Sequence, residues 1–281
     1  MMDRSFKNGD RVQLTDSKGK LYSITLNPGS EWHTHKGVLK HDDLIGLPEG
    51  SIVATSGELK FQAFRPLLAD YVLSMPRGAT IVYPKDAAMI IGIADIKPGI
   101  RVLEAGVGSG ALSISILRAV GESGHLHSVE IREDFAKISQ ENVQNYFGNL
   151  PKNWVLTVGA LQEHKLDNDY DRVVLDMLSP WECVETAAQA LVPGGVLISY
   201  VATTTQLSKI AEAIKENGNF TEPESSETIV RGWHHEGLAV RPLHRIIGHT
   251  GFLIFTRRMA SGVPVLQRRR RPSKGSYGVI E

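Results

Sequence analysis

From Gly9 to about Ile52 the chain sets short apolar runs, RVQLTD, KLYSITL and SIVATS, between the turn signals Ser17-Lys18-Gly19, Asn27-Pro28-Gly29 and Pro48-Glu49-Gly50. This pattern predicts a small β-rich domain over residues 1–63. In FQAFRPLLADYVLSM, apolar residues fall at Phe64, Leu67, Leu68, Tyr71, Val72 and Met75, the spacing of one helical face. A linker helix over 64–75 is therefore expected, bridging to a second domain over 76–281. Beyond Pro76 helices alternate with wholly apolar strands, the signature of a parallel sheet covered on both faces.

Within that second domain KDAAMIIGIADI reads as a helix ended by Lys97-Pro98-Gly99, and IRVLEAG as a buried strand. A helix from about Gly110 to Val120 follows. Next come HLHSVEI (strand), EDFAKISQENVQNYF (helix), WVLTVG (strand), DRVVLDM (strand) and ECVETAAQAL (helix). Pro193-Gly194-Gly195 turns into the strand VLISYVA, and QLSKIAEAIKENG forms a further helix. The remaining strands flank a polar insertion, and GFLIFTRR supplies a late strand suited to antiparallel pairing. The expected fold is α/β: a doubly wound, Rossmann-like sheet with a late antiparallel strand, plus the small β-rich N-terminal domain.

Composition narrows the function. With 42% hydrophobic and 22% charged residues the 281-residue chain can bury a core, which excludes a wholly disordered protein. Lys plus Arg balance Asp plus Glu at 31 each, so any nucleic-acid site must be a local patch. The lone Cys183 cannot form an internal disulfide, and MMDRSFKNGDR lacks the apolar core of a signal peptide; a cytoplasmic location is expected. No apolar stretch reaches the ~18 to 20 residues that span a bilayer, so no membrane partner is expected.

The first chemical motif is VLEAGVGSGALS, which puts Gly106, Gly108 and Gly110 between a buried strand and a helix. Without Cβ atoms the backbone turns sharply and approaches a ligand, while the helix N-terminus offers free amide donors. These donors suit a methionyl carboxylate or a diphosphate equally well. Glu130, at the end of HLHSVE, can accept both hydroxyls of an adenosine ribose, a device that NAD enzymes share. Two features favour a methyl donor. Glu104 would repel a diphosphate but can meet an ammonium group, and the loop lacks GxGxxG spacing. In DRVVLDMLSPWE the apolar strand ends in Asp176, an acid facing the crevice where ligands of such sheets bind.

VLEAGVGSGALS, HSVEIREDFAKISQENV, YDRVVLDMLSPWE and ALVPGGVLISYVATTTQ follow the order of the class I methyltransferase motifs. With TIVYPKDAAMI, RGWHHEGLAVRP and the N-terminal HKGVLKHDDLIGLPEGS, nearly the whole chain resembles the bacterial and archaeal tRNA (adenine-58-N1)-methyltransferase family, TrmI. The resemblance implies S-adenosylmethionine as cofactor, tRNA as partner and a homotetramer in which one tRNA contacts more than one subunit. It implies cofactor contacts at Glu104, Gly106, Gly108, Ser109, Gly110, Ala111, Leu112, Glu130, Gly159 and Asp176. Asp176 is the catalytic candidate, positioning the base while its N1 attacks the sulfonium methyl. Tyr83 and Tyr200 match the aromatic positions of the YPKD and SYV motifs and are expected to pack around a flipped base, with a core role as the competing reading.

His33, His35 and His41 lack ligand spacing, so no metal is expected. His234, His235, His244 and His249 stand in the insertion, as RNA or subunit contacts or as ordinary loop residues. Cys183 reads as a packing residue. Arg257, Arg258, the run Arg268 to Arg271 and Lys274 are candidate phosphate contacts, with a solvated tail as the alternative for the last five. The competing functions are a small-molecule methyltransferase or a nucleotide-dependent oxidoreductase of the same fold, and more weakly a non-enzymatic RNA-binding protein.

Overall fold

The computed structural model describes residues 5–164, 166 and 168–266. By its internal contacts the chain divides into two units, one up to Met75 and one from Pro76 onward. The first unit holds β1 (Arg11–Asp16), β2 (Leu21–Thr25), β3 (Glu31–Thr34), β4 (Gly37–Lys40), β5 (Ile52–Ala54), β6 (Lys60–Phe64) and α1 (Leu68–Ser74). An antiparallel sheet in the order β2-β1-β6-β5 is accompanied by the β3-β4 hairpin. Period-2 alternation drives it: Val12 and Leu14 of β1 and Phe61 and Ala63 of β6 point into a core completed by Leu26, Leu39 and Leu44. The helix expected over 64–75 is shorter than its apolar spacing suggested. Phe64 belongs to β6, and Pro66 biases Arg65 away from helical geometry, so the helix starts only at Leu68.

The second unit runs α2 (Pro84–Ile93), β7 (Arg101–Ala105), α3 (Ala111–Val120), β8 (His125–Glu130), α4 (Glu133–Phe147), β9 (Trp154–Val158), β10 (Tyr170–Asp176), α5 (Val184–Ala190), β11 (Leu191–Val201), α6 (Thr204–Asn217), β12 (Glu224–Glu227), β13 (Trp233–Glu236), β14 (Ala239–Pro242) and β15 (Phe252–Arg257). Seven strands form one sheet in the order β12-β15-β11-β10-β7-β8-β9. The five from β11 to β9 are parallel, and β15 joins β11 antiparallel, as the sequence pattern predicts. This is a Rossmann-like α/β fold. Two local differences follow from proline and glycine. ECVETAAQAL begins as a 3-10 turn at Pro180–Cys183 before α5, and β11 already includes Pro193-Gly194-Gly195, with a register shift opposite Tyr170 and Arg172.

Strand order reverses between β7 and β10, because the chain builds β8 and β9 on one side of β7 and returns to build β10 and β11 on the other. At such a switch point the connections leave in opposite directions and open a crevice beyond the strand ends. Among the described residues no helix is long and apolar enough to cross a membrane.

The core beneath the crevice is made by Leu103, Val173, Leu175 and Leu197 from the strands and Ile210 and Ile214 from α6. Leu103→Ala on the central β7, where the side chain is fully buried, is expected to cost ~2 to 5 kcal/mol in urea unfolding. Val155→Ala on edge strand β9, 44% exposed, is expected to cost under ~1 kcal/mol.

Candidate active site

The glycine loop lies at the C-terminal end of β7, with Gly106, Gly108 and Gly110 all at positive φ (86°, 55° and 81°). The tightest of the three is Gly106. A Cβ there would lie 1.8 Å from the carbonyl oxygen of Asp176, so the ends of β7 and β10 meet backbone to backbone. At Gly108 a Cβ would make only ordinary contact with Ala79 at 3.5 Å, and at Gly110 it would press on Ser139 of α4 at 3.2 Å. Ser109 is buried; its hydroxyl accepts from the Gly78 amide (3.3 Å) and its carbonyl from Asn142 Nδ2 (2.9 Å). Ala111 and Leu112 are buried as well, so what they offer a ligand is their backbone at the start of α3.

Around this loop the fold gathers three carboxylates. Glu104 on β7 is fully buried; its Oε2 accepts from Ser113 Oγ and Ser128 Oγ, both at 2.6 Å, while Oε1 has no partner among the described residues. Glu130, at the end of β8, accepts from the Gly108 amide (2.9 Å) and the Arg132 amide (3.0 Å), which ties the glycine loop to the neighbouring strand. Asp176 ends β10 and is partly buried. Burial, and then the charge of Glu130, push the Glu104 carboxyl up to about 7 against the two serine hydrogen bonds. Asp176 is also pushed up to about 7, by burial first and then by the charges of Glu104 and Glu130. The charges that shift this pair, those of Glu104 and Glu130, are both negative. Gly159, after β9, donates its amide to the Glu130 carbonyl (2.9 Å) and faces His164, whose buried Nε2 has no partner among the described residues.

Tyr200 is opposite Asp176 in the β10-β11 register. Its hydroxyl donates to the Thr250 carbonyl (2.7 Å), and its ring lies so close to Gly251 that a Cβ there would stand 2.4 Å away. Burial, together with the charges of Asp86 and Asp176, raises its phenol to about 12. Tyr83 is the N-cap of α2 and immediately precedes Pro84.

The next two residues form a cluster that the sequence reading did not single out. Lys85 Nζ donates to Asp86 Oδ1 (2.6 Å), Thr228 O (2.7 Å) and Thr250 Oγ1 (2.7 Å), and Thr250 Oγ1 donates to Asp86 Oδ2 (2.7 Å). With Asp86 1% exposed, this latch binds the first turn of α2 to both ends of the insertion, residues 228–251. His249 reinforces it from Nδ1 to Glu227 (2.6 Å) and from Nε2 to the Ala202 carbonyl (2.7 Å), and both contacts raise the pKa of its ring. The YPKD motif was the available signal, but its partners lie more than 140 positions away. The insertion is also less polar on its surface than its sequence suggested: Trp233, Leu238, Val240 and Ile247 are all exposed.

Other candidates have local roles. Arg257, which is exposed, donates to the Gly194 carbonyl, and the half-buried Arg258 to the carbonyls of Ala188, Asn219 and Met259, so both guanidinium groups brace the backbone. His41 is a core residue whose Nδ1 accepts from the Asn27 amide (3.1 Å). Cys183 is buried, its thiol pushed up to about 11. Among the described residues no group of three or more His, Cys, Asp or Glu side chains is placed to hold a metal ion. Arg268 to Arg271 and Lys274 lie outside the described residues.

Comparison with known proteins places this geometry. Residues 5–53 match the TrmI-like N-terminal family, and residues 66–237 the family of the tRNA methyltransferase complex GCD14 subunit. The chain is 36% identical over 246 residues to the tRNA (adenine(58)-N(1))-methyltransferase TrmI of Thermus thermophilus, covering 87% of this chain and 95% of that one. It is 31% identical over 269 residues to the tRNA (adenine(57)-N(1)/adenine(58)-N(1))-methyltransferase TrmI of Methanocaldococcus jannaschii, covering 87% and 93%. Among solved structures, a protein of Thermotoga maritima described as a SAM-dependent O-methyltransferase superposes with a TM-score of 0.87 at 30% identity, covering 95% of this chain and 97% of that one. TrmI of Aquifex aeolicus superposes with a TM-score of 0.80 at 28% identity, covering 92% and 100%. With a matching N-terminal family, a family match over more than half its length and a relative 36% identical across most of both chains, the protein belongs to the TrmI family of tRNA methyltransferases.

Proposed function

We propose that this enzyme transfers the methyl group of S-adenosylmethionine to N1 of adenine 58 in the T-loop of tRNA. The observation that carries the reading is the crevice of three carboxylates beside a glycine loop, with one buried oxygen of Glu104 unpartnered and only negative charge acting on the pair Glu104 and Asp176. S-adenosylmethionine brings a sulfonium and an ammonium, and supplies an electrophilic methyl group. A dinucleotide brings a diphosphate, which these residues would repel, so the oxidoreductase alternative is disfavoured.

In this reading Glu104 faces the ammonium, the remaining lone pairs of Glu130 accept from the ribose hydroxyls, and the amides at the start of α3 face the carboxylate. Gly159 borders the same ligand through its hydrogen bond to Glu130. Adenine N1 already carries an in-plane lone pair, so the N–C bond forms as the C–S bond breaks and no general base is required. Positive charge then develops on the ring. Asp176 holds a carboxylate against it and accepts from the exocyclic amino group, which selects adenine over guanine. Tyr200, fixed by Thr250 and Gly251, and Tyr83 at the start of α2 flank the base. In tRNA the target edge is engaged in tertiary pairing, so the nucleotide must be extruded before it can react. The N-terminal unit contacts the tRNA, and the exposed apolar residues of the insertion are covered by neighbouring copies in a homotetramer.

The name of the Thermotoga maritima neighbour points to a second reading, methylation of a hydroxyl group. A hydroxyl must lose its proton as the bond forms, and Asp176, raised to about 7, has the properties of a base for that step. Mass-spectrometric mapping of tRNA separates the two. The expected result is N1-methyladenosine at nucleotide 58, abolished in a transcript that carries guanine in place of that adenine. Activity on free adenosine or a small hydroxyl acceptor, with no dependence on tRNA, would sink the main proposal.

Asp176→Ala is expected to lower single-turnover methylation ~100- to 1,000-fold, a larger loss than it causes in tRNA or donor affinity. A near-normal rate would mean that another group holds the base. Glu130→Ala is expected to weaken donor binding ~10- to 100-fold in calorimetry, since it removes the ribose acceptor and releases the Gly108 amide. Unchanged donor affinity in a folded variant would remove Glu130 from the donor site.

A further inference from the structure

The N-terminal unit carries a second candidate site, separate from the carboxylate crevice. Tyr22 on β2, Trp32 on β3 and Phe61 on β6 form an edge-to-face trio, with ring centroids 5.1 Å apart for Tyr22 and Trp32, 5.3 Å for Trp32 and Phe61, and 5.8 Å for Tyr22 and Phe61. Phe61 is buried as the floor, while Tyr22 and Trp32 are only partly buried. The three rings, with Lys20, His33 and His35, line a cavity of about 230 Å³. Lys20 Nζ stands 4.8 Å from the centre of the Tyr22 ring.

The turn presenting the two histidines is braced from behind. Thr34 Oγ1 donates to the Gly37 carbonyl (2.8 Å) and accepts from the Lys36 amide (3.1 Å), while Thr55 Oγ1 donates to the Lys36 carbonyl (2.6 Å). Gly37 and Gly57 allow this turn and the Ser56-Gly57 turn to touch: a Cβ on Gly37 would lie 2.5 Å from Ser56 Oγ, and one on Gly57 2.5 Å from the Lys36 carbonyl. His33 and His35 are exposed, so the bracing fixes a surface turn. Rigid backbone behind exposed polar side chains is how a binding surface is preorganised.

We propose that this cleft is a nucleotide-binding subsite for RNA, in which an unpaired base of the tRNA substrate stacks against the partly exposed Tyr22 and Trp32 and its phosphate meets Lys20, with His33 and His35 as further hydrogen-bonding groups; the proposal rests on the tRNA reading above. Aromatic rings beside cationic side chains are the equipment of single-strand binding, because every base has a stacking face and every nucleotide carries a phosphate. The size agrees. Pockets that enclose a whole small molecule run to roughly 300–1,000 Å³, whereas this one suits a single flat ring system with its backbone outside. Lys20, beside the Tyr22 ring, already holds the cation position over that aromatic face, so a further cationic ligand would meet its charge. An acidic peptide would match the charge but has no use for three rings.

The test uses the full-length protein and a tRNA transcript containing 4-thiouridine, cross-linked by long-wavelength light and mapped by peptide mass spectrometry, together with tRNA and donor affinities of variants. Cross-links are expected on the peptides carrying Tyr22 and Trp32. Trp32→Ala is expected to weaken tRNA binding ~5- to 100-fold, the worth of one stacked base, with donor affinity unchanged. Lys20→Ala and His35→Ala, both on exposed side chains, keep the test informative if Trp32→Ala fails to fold. Lys20→Ala is expected to reduce the salt slope of binding by about one. Variants that bind tRNA like the wild type, or cross-links confined to other residues, would overturn the subsite while N1 methylation by the wild type stands. A wild type that neither binds nor methylates tRNA would overturn both.

Discussion

The close approach of β7 and β10 at the switch point of the sheet is the constraint on which the site depends. Gly106 lies against the Asp176 carbonyl with no room for a side chain, and that contact brings the glycine loop and the end of β10 into one crevice. Glu104 on β7, Glu130 on the neighbouring β8 and Asp176 on β10 then converge because adjacent parallel strands end together. The sheet thereby holds three acids nearer to one another than their charges favour. Protonation of Glu104 and Asp176, both raised to about 7, relieves that repulsion.

The second unit adds a device on the opposite flank of Asp176. Lys85 and Asp86 pin the start of α2 to Thr228 and Thr250, and Thr250 also receives the Tyr200 hydroxyl. One threonine thus links Tyr200, opposite Asp176 in the sheet, to the first turn of α2 and to the end of the insertion that carries the exposed Trp233 and Leu238.

Much of this was legible in the sequence because it is written in local periodicity. The βα alternation, the glycine loop, and the acids closing HLHSVE and DRVVLD each lie within a dozen residues of the feature that explains them. What stayed hidden depends on pairs distant in sequence. The motif presents Gly106, Gly108 and Gly110 alike, yet the tight contact is at Gly106, where the crowding group comes from residue 176. The backbone partners of Arg257 and Arg258, at Gly194, Ala188, Asn219 and Met259, lie too far away in the sequence or on too irregular a segment for periodicity to show them. Likewise Tyr22, Trp32 and Phe61 lie on three separate strands, and only the sheet order makes them neighbours.

The central claim is that the crevice is an anionic site completed by a cationic methyl donor. Glu104 and Asp176 are raised to about 7 in the free protein, so near pH 6.5 they retain protons that their ordinary values would have shed. A bound cation favours their ionised forms, so binding must expel protons below about pH 7, and donor affinity must rise with pH through that range and level off above it. Calorimetry of S-adenosylmethionine binding in buffers of different ionisation enthalpy measures this directly. The account predicts net release approaching one proton near pH 6.5, shrinking by pH 7.5 and reduced in Glu104→Gln. Binding without proton release near pH 6.5, or with proton uptake, would contradict it.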